Sequence, residues 1–124
     1  MIYEVMDVRE MSYANNTFDM VIDKSTIDTL MCSENPILNV AKMVEESYRV
    51  LKPGGIYFAV SFAEPFRRLE HLTREHVKFD IQTKTVKRKN TEGDDLIHYL
   101  YICRKIPKQP MSREERVEYY IKLK

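Results

Sequence analysis

Glycine is scarce in this chain: its 124 residues include three, an adjacent pair at Gly54-Gly55 and one at Gly93. A phosphate-cradling turn needs several glycines close together after a strand, so these positions cannot build one. Tryptophan is absent, and the two cysteines, Cys32 and Cys103, lie far apart with no Cys-x-x-Cys pair. That excludes a disulfide framework and makes a reducing, cytoplasmic compartment the expectation. The longest apolar runs, such as Ile56 to Val60, are far short of a membrane span, and Met1 opens no charged-then-apolar leader, so neither membrane nor secretion is expected. The formal net charge of +1 gives no global pull toward nucleic acid. His71, His76 and His98 have no zinc-ligand spacing with either cysteine, so no metal is expected.

What is present reads as alternating strands and helices. Met1 to Val8 alternates apolar and polar residues and predicts a short strand leading into Asp7, followed by a polar stretch with an Asn15-Asn16 turn. Phe18 to Asp23 is the next strand. Its consecutive apolar centre predicts cover on both faces, and it ends in the polar cluster Asp23-Lys24-Ser25-Thr26. Asn35-Pro36 predicts a helix start, with Asn35 as cap and Pro36 in the first turn. Ile37, Val40, Ala41, Val44, Tyr48 and Leu51 then share one helical face, with Lys42, Glu45, Glu46 and Arg49 pointing elsewhere. Lys52-Pro53-Gly54-Gly55 predicts a stop and a tight turn before a central strand over Ile56 to Phe62.

Beyond that strand, Ala63 to Arg68 is a polar segment, and a short helix is predicted over Leu69 to Glu75. Val77, Phe79, Ile81 and Thr83 alternate with charged or polar neighbours, as an exposed edge strand does. Leu96 to Cys103 is apolar at nearly every position except His98 and predicts a strand inserted between two others, joined to the edge strand by the loop Lys89 to Asp95. The sheet is therefore mixed. Ser112-Arg113-Glu114-Glu115 fits a capping box for a final helix with Val117, Tyr120 and Ile121 on one face, after a proline-stiffened connector. The expected organisation is a partial α/β domain over residues 1–105, then a linker and terminal helix over 106–124.

The order of these elements, with Met6-Asp7-Val8-Arg9, Phe18 to Asp28 and Arg49-Val50-Leu51-Lys52-Pro53-Gly54-Gly55, resembles the later half of class I S-adenosylmethionine-dependent methyltransferases. Within them it looks most like the methyltransferase-like 13 group, which includes elongation factor 1A lysine methyltransferases. The likeness runs from about Tyr3 to Lys105. It implies a Rossmann-like fold with an antiparallel carboxyl-terminal hairpin and S-adenosylmethionine as cofactor. It also implies that the glycine loop, the ribose-binding acid and the first strands would precede Met1. The strand at Phe18 then has an open edge, and either a homodimer or strand exchange across it or a rearranged amino-terminal strand is expected.

By that resemblance Asp7 accepts a hydrogen bond from the adenine amino group, with the Val8 backbone nearby; the same position suits a loop aspartate that caps its turn. Asp23 and Lys24 would face the cofactor and the entrance for the methyl acceptor, or form an ordinary solvated ion pair. Asp28 is the candidate catalytic group, a carboxylate that attracts a lysine ammonium and holds the amine as it loses its proton; helix decoration is its plain alternative. Ser25 and Thr26 suit capping. Glu64, Pro65 and Phe66 match a segment lining the acceptor side, or form a loop. Lys84, Lys87, Arg88 and Lys89 read as a solvated edge rather than an RNA surface, having no stacking aromatic among them. The functions in competition are the carboxyl-terminal part of a protein-lysine methyltransferase, with an elongation factor 1A-like substrate as partner, and a non-catalytic dimerising module derived from one. This chain alone is expected to lack normal cofactor binding.

Overall fold

The computed structural model describes residues 6–123. The strand expected over Met1 to Val8 falls mostly outside them; Met6 and Asp7 are irregular and Val8 lies in a turn. The elements are β1 (Phe18–Lys24), α1 (Thr26–Leu30), α2 (Pro36–Val50), β2 (Leu51–Ser61), α3 (Pro65–Leu72), β3 (Phe79–Lys89), β4 (Asp95–Lys105) and α4 (Arg113–Leu123). They form an α/β fold around a mixed sheet of order β1-β2-β4-β3, with β1 parallel to β2 and the other neighbours antiparallel. The inserted strand is thus β4, placed between β2 and β3 as its unbroken apolar run requires.

Strand alternation sorts the sheet into two unlike faces. Tyr57, Ala59, Tyr101 and Cys103 point inward and pack with Val40, Met43 and Val44 of α2, with Ile27 and Leu72 closing the same core. Burial pushes the Cys103 thiol up to about 12, which leaves it an inert packing group. On the opposite face, Met20 is 51% and Ile22 69% exposed. The expectation that β1 is covered on both faces is therefore wrong: the helices of the core supply one layer only, and the apolar run marks a face with no described element over it. Among the described residues no strand pairs with the other edge of β1, and one bond fixes which groups face it. Ser25 N–H donates to the Val60 carbonyl, so odd-numbered residues of β1 bond to β2. Met20, Ile22 and Lys24 then direct their backbone groups away from the sheet.

Several boundaries move for local reasons. The helix α2 passes directly into β2, with Leu51 already extended, so Lys52 to Gly55 is an irregular start of the strand rather than a separate turn. Partner positions run from Phe18↔Leu51 to Met20↔Ile56, so extra residues bulge out of β2. Gly54 takes a φ of 81° there, and a Cβ on Gly55 would lie 2.9 Å from the Lys52 carbonyl oxygen and 3.0 Å from that of Asp19. Asn35 holds the first position before α2 but at φ 52° and without a side-chain cap bond. Asn39 bonds the entry instead, through Ser33 Oγ and the Glu34 carbonyl. Glu46, expected on the outer face, is buried because it accepts from Met11 N–H and Arg49. Pro65 starts α3 earlier than the apolar spacing suggested, and Val77 precedes β3 as a core residue.

The terminal helix docks by its aromatic side, not by the predicted one. Val117 and Ile121 are exposed, whereas Tyr119 stacks on His76 and the Tyr120 hydroxyl donates to Glu45 of α2. Arg116 pairs with the same carboxylate at 2.5 Å, and the Ser112 hydroxyl caps Glu115 N–H as expected. No helix among the described residues is long and apolar enough to cross a membrane.

Candidate functional site

Parallel strands β1 and β2 end side by side, and their carboxyl ends carry the polar residues that strand-end binding sites use. Asp23, the last inward residue of β1, is buried. Its Oδ1 accepts from Thr26 N–H at 2.7 Å, which caps α1, and its Oδ2 accepts from the Tyr57 hydroxyl at 2.5 Å. Complete burial, with the Asp23 carboxylate alongside, pushes the Tyr57 phenol well above its ordinary range, so that it stays a neutral donor. Lys24 follows on the other side of the strand and is exposed. The structure therefore separates two residues that the sequence placed together. Ser25 adopts φ 66° before α1 and makes no side-chain cap; the Asp23 carboxylate does that instead.

Asp7 sits in a turn beside this strand end. Its Oδ1 accepts from Arg9 N–H at 2.9 Å, and the Arg9 guanidinium closes on both oxygens. These bonds hold its carboxyl down at about 2. Arg9 also donates to Asn39 Oδ1 at 3.0 Å, which ties the turn to α2. Val8 lines a cavity of about 70 Å³ with Val21, Asp23, Thr26, Met43 and Tyr57. Val8 and Asp23 are thereby brought to one place, across a space with room for only about two waters, while Asp7 does not line it.

The Asp28 carboxylate belongs to a second cluster. It accepts from Ser61 Oγ–H at 2.5 Å, Phe62 N–H at 3.0 Å and Arg68 Nη2 at 2.9 Å. Burial opposes its ionisation, but the hydrogen bonds from Ser61, Phe62 and Arg68 together hold it below the ordinary carboxylate value. The Tyr101 hydroxyl donates to the Ala63 carbonyl at 2.5 Å, so the turn after β2 is fastened from two sides. Glu64 and Pro65 open α3, and Phe66 is 74% exposed beside them. Arg68, Ser61 and Tyr57 are the residues that sequence reasoning missed. Arg68 lies one helical turn before Leu72, and Tyr57 and Ser61 share the inward parity of Ala59; those spacings were the available signal.

Fit to an S-adenosyl group divides this site. Both Asp7 oxygens already accept from Arg9, so an adenine amino group would share that carboxylate with the guanidinium, beside the partly exposed Val8. No glycine lies at the carboxyl ends of β1 or β2, and both Asp23 oxygens already accept hydrogen bonds, so the described residues offer no cradle for the methionine end. Among them, no group of three or more metal-ligating side chains could hold an ion.

The family model described as "Methyltransferase domain" matches residues 1–59. A bovine protein named EEF1A lysine methyltransferase 4 is 27% identical over 111 residues, covering 83% of this chain and 41% of that protein. This chain belongs to the class I S-adenosylmethionine-dependent methyltransferases. The chain is also 30% identical over 108 residues to a ubiquinone/menaquinone biosynthesis C-methyltransferase from Hydrogenovibrio crunogenus, across 87% of the chain and 39% of that enzyme. A SAM-dependent methyltransferase structure from Methanosarcina mazei superposes with a TM-score of 0.59 at 14% identity, covering 85% of this chain and 67% of that one. That likeness shows the fold. The chain spans about two fifths of the length of the first curated relatives it matches.

Proposed function

We propose that this methyltransferase chain supplies the adenine side and the acceptor side of a site that transfers a methyl group from S-adenosylmethionine to a protein lysine. The reading rests on one observation: Val8 and the carboxyl end of β1 meet around the buried Asp23–Tyr57 pair. Asp7 and Val8 would take the adenine. Asp23 would act through its cap on α1, holding the polar strand end in place, and Lys24 stands at the rim. The cofactor, when bound, supplies an electrophilic methyl on sulfonium, and the acceptor amine must arrive neutral, aligned and screened from water. Asp28 enters as a positioning group, because Arg68 matches its charge and three donors fix it at the turn that borders the acceptor. The methionine end would be held by residues outside this chain. Protein lysine is favoured as acceptor, with an elongation factor 1A-like protein as the partner, by the named activities of the bovine and mouse relatives.

The decisive experiment is calorimetric titration with S-adenosylhomocysteine, on this chain and on a longer polypeptide carrying a glycine-rich strand–turn segment upstream. Binding to the longer protein, abolished or weakened by Asp7→Ala, is the expected result. A longer protein that ignores the ligand would sink the reading. A second reading, a non-catalytic interaction module, is favoured by the face and edge of β1 that no described element covers.

A further inference from the structure

A cavity of about 380 Å³ lies at the end of the sheet opposite Asp23 and Asp28. Its walls come from the loop before β1, the carboxyl half of α2, the start of β2, the end of β4, and the connector that leads into α4. Strand parity sends Lys105 inward with Tyr101 and Cys103, so a charged side chain ends β4 only 8% exposed. Its ammonium donates to the Leu51 carbonyl at 2.7 Å and to Asn16 Oδ1 at 3.1 Å, and lies 4.5 Å from the centre of the Tyr48 ring. All three partners are neutral. They replace water without matching the charge, and burial accordingly lowers the Lys105 pKa from its ordinary value.

The other charges around the cavity are unevenly matched. Arg49 pairs with Glu46 at 2.5 Å, and Arg116 with Glu45 at 2.5 Å. His76 bonds the Ala41 carbonyl, and burial lowers its pKa, so the ring is neutral at pH 7. Lys108 on the connector donates to the Glu75 carbonyl, again a neutral group. Among the described residues, Lys105 and Lys108 therefore line the cavity as two cations with no carboxylate partner. We propose that this cavity binds a small phosphate monoester, its head held by the Lys105 and Lys108 ammonium groups and its apolar body lying on Pro107, Pro110 and Met111. Two unmatched positive charges call for two negative ones, and a phosphate monoester carries about −1.5 to −2 near pH 7. Each ammonium has three N–H donors, more than the acceptors it now bonds, so donors remain for the phosphate oxygens. The volume falls within the roughly 300–1,000 Å³ of small-molecule sites, which combine apolar walls with a few placed polar groups. The cavity sits at the amino ends of β1 and β2, away from Asp23 and Asp28, so this inference is independent of the methyl-transfer reading.

Phenyl phosphate, titrated into the isotope-labelled full chain and followed by two-dimensional NMR, tests it. Saturable movement of the Asn16, Lys105, Ile106 and Lys108 amides is expected, with a dissociation constant below about 1 mM. Phenyl sulfate, with a single charge on the same body, should bind at least about tenfold more weakly. Lys105→Gln, which keeps a donor for the Leu51 carbonyl, and Lys108→Gln should each weaken phenyl phosphate at least about tenfold. The longer polypeptide with its upstream segment should bind as this chain does. No saturable shift up to about 10 mM would overturn the proposal, as would equal affinity for the sulfate ester, shifts confined to the lysines of β3, or a longer polypeptide in which the cavity no longer binds. Should Lys105→Gln fail to fold, Lys108→Gln, which lies outside every helix and strand, still decides.

Discussion

The inner face of the sheet and its outer face are made by the same four strands, yet they are finished differently. Inward, Tyr57, Tyr101 and Cys103 are fully buried, and each phenol donates to a fixed acceptor, Asp23 or the Ala63 carbonyl. Outward, Phe58, Val60 and Ile102 are only half-buried and Ile22 stands in solvent. The comparison teaches that apolar content in a strand does not say which face is covered. What marks the covered face here is the pairing of buried polar groups with partners, because an unsatisfied hydroxyl or carboxylate would be costly only on that side.

The largest test of this contrast removes a ring from the covered side. Tyr57→Ala should cost about 4 kcal/mol, through the cavity and the orphaned Asp23 carboxylate, read as a lowered urea midpoint. Ile22→Ala, measured where the chain is monomeric, should change stability by no more than about 0.5 kcal/mol. Comparable losses at both positions would erase the distinction between the faces.

Next in size is the polar clamp at the end of β2. Arg68→Leu should cost about 2 kcal/mol by leaving the half-buried Asp28 without its counter-charge, and adding Asp28→Asn should recover most of that. Equal losses in the single and double variants, measured by urea unfolding, would show that the pair is not coupled. A similar effect is expected where β1 meets the irregular start of β2. Gly55→Ala should cost about 2 kcal/mol by forcing a Cβ against two carbonyl oxygens. Gly54→Ala should cost about 1 kcal/mol, because its φ of 81° is strained for any side chain although the space is open.

The smallest expected effect is with pH. Asp28 has a folded pKa below its ordinary value of 3.8, so its contribution to stability is present above that value and is lost as pH falls through the folded pKa. Thermal unfolding followed from pH 5 downward should therefore drop more steeply in the natural chain than in Asp28→Asn/Arg68→Leu. Parallel curves would remove Asp28 from the acid response.

Legibility in the sequence followed the range of the interaction. The helix from Pro36, the alternation of β3 and the inserted run of β4 were readable because proline, period-two spacing and apolar runs act within a few residues. Residues Asp7, Val8 and Asp23 were legible as strand-end candidates, and the structure places Val8 and Asp23, but not Asp7, at one cavity. The role of Asp28 was not legible, since Arg68 lies 40 positions away and only the approach of α3 to α1 joins them. Likewise, Glu46 looked like a surface residue until the Met11 N–H came to it from another segment.

The sequence by itself determined the mixed α/β plan and the family, because the Asp-Val-Arg and Lys-Pro-Gly-Gly segments and the strand patterns are local chemistry written in order. Only the tertiary structure decided which face of each strand is covered and which carboxylate meets which donor. Burial and charge pairing depend on what arrives from distant parts of the chain, and spacing along the sequence carries no measure of that approach.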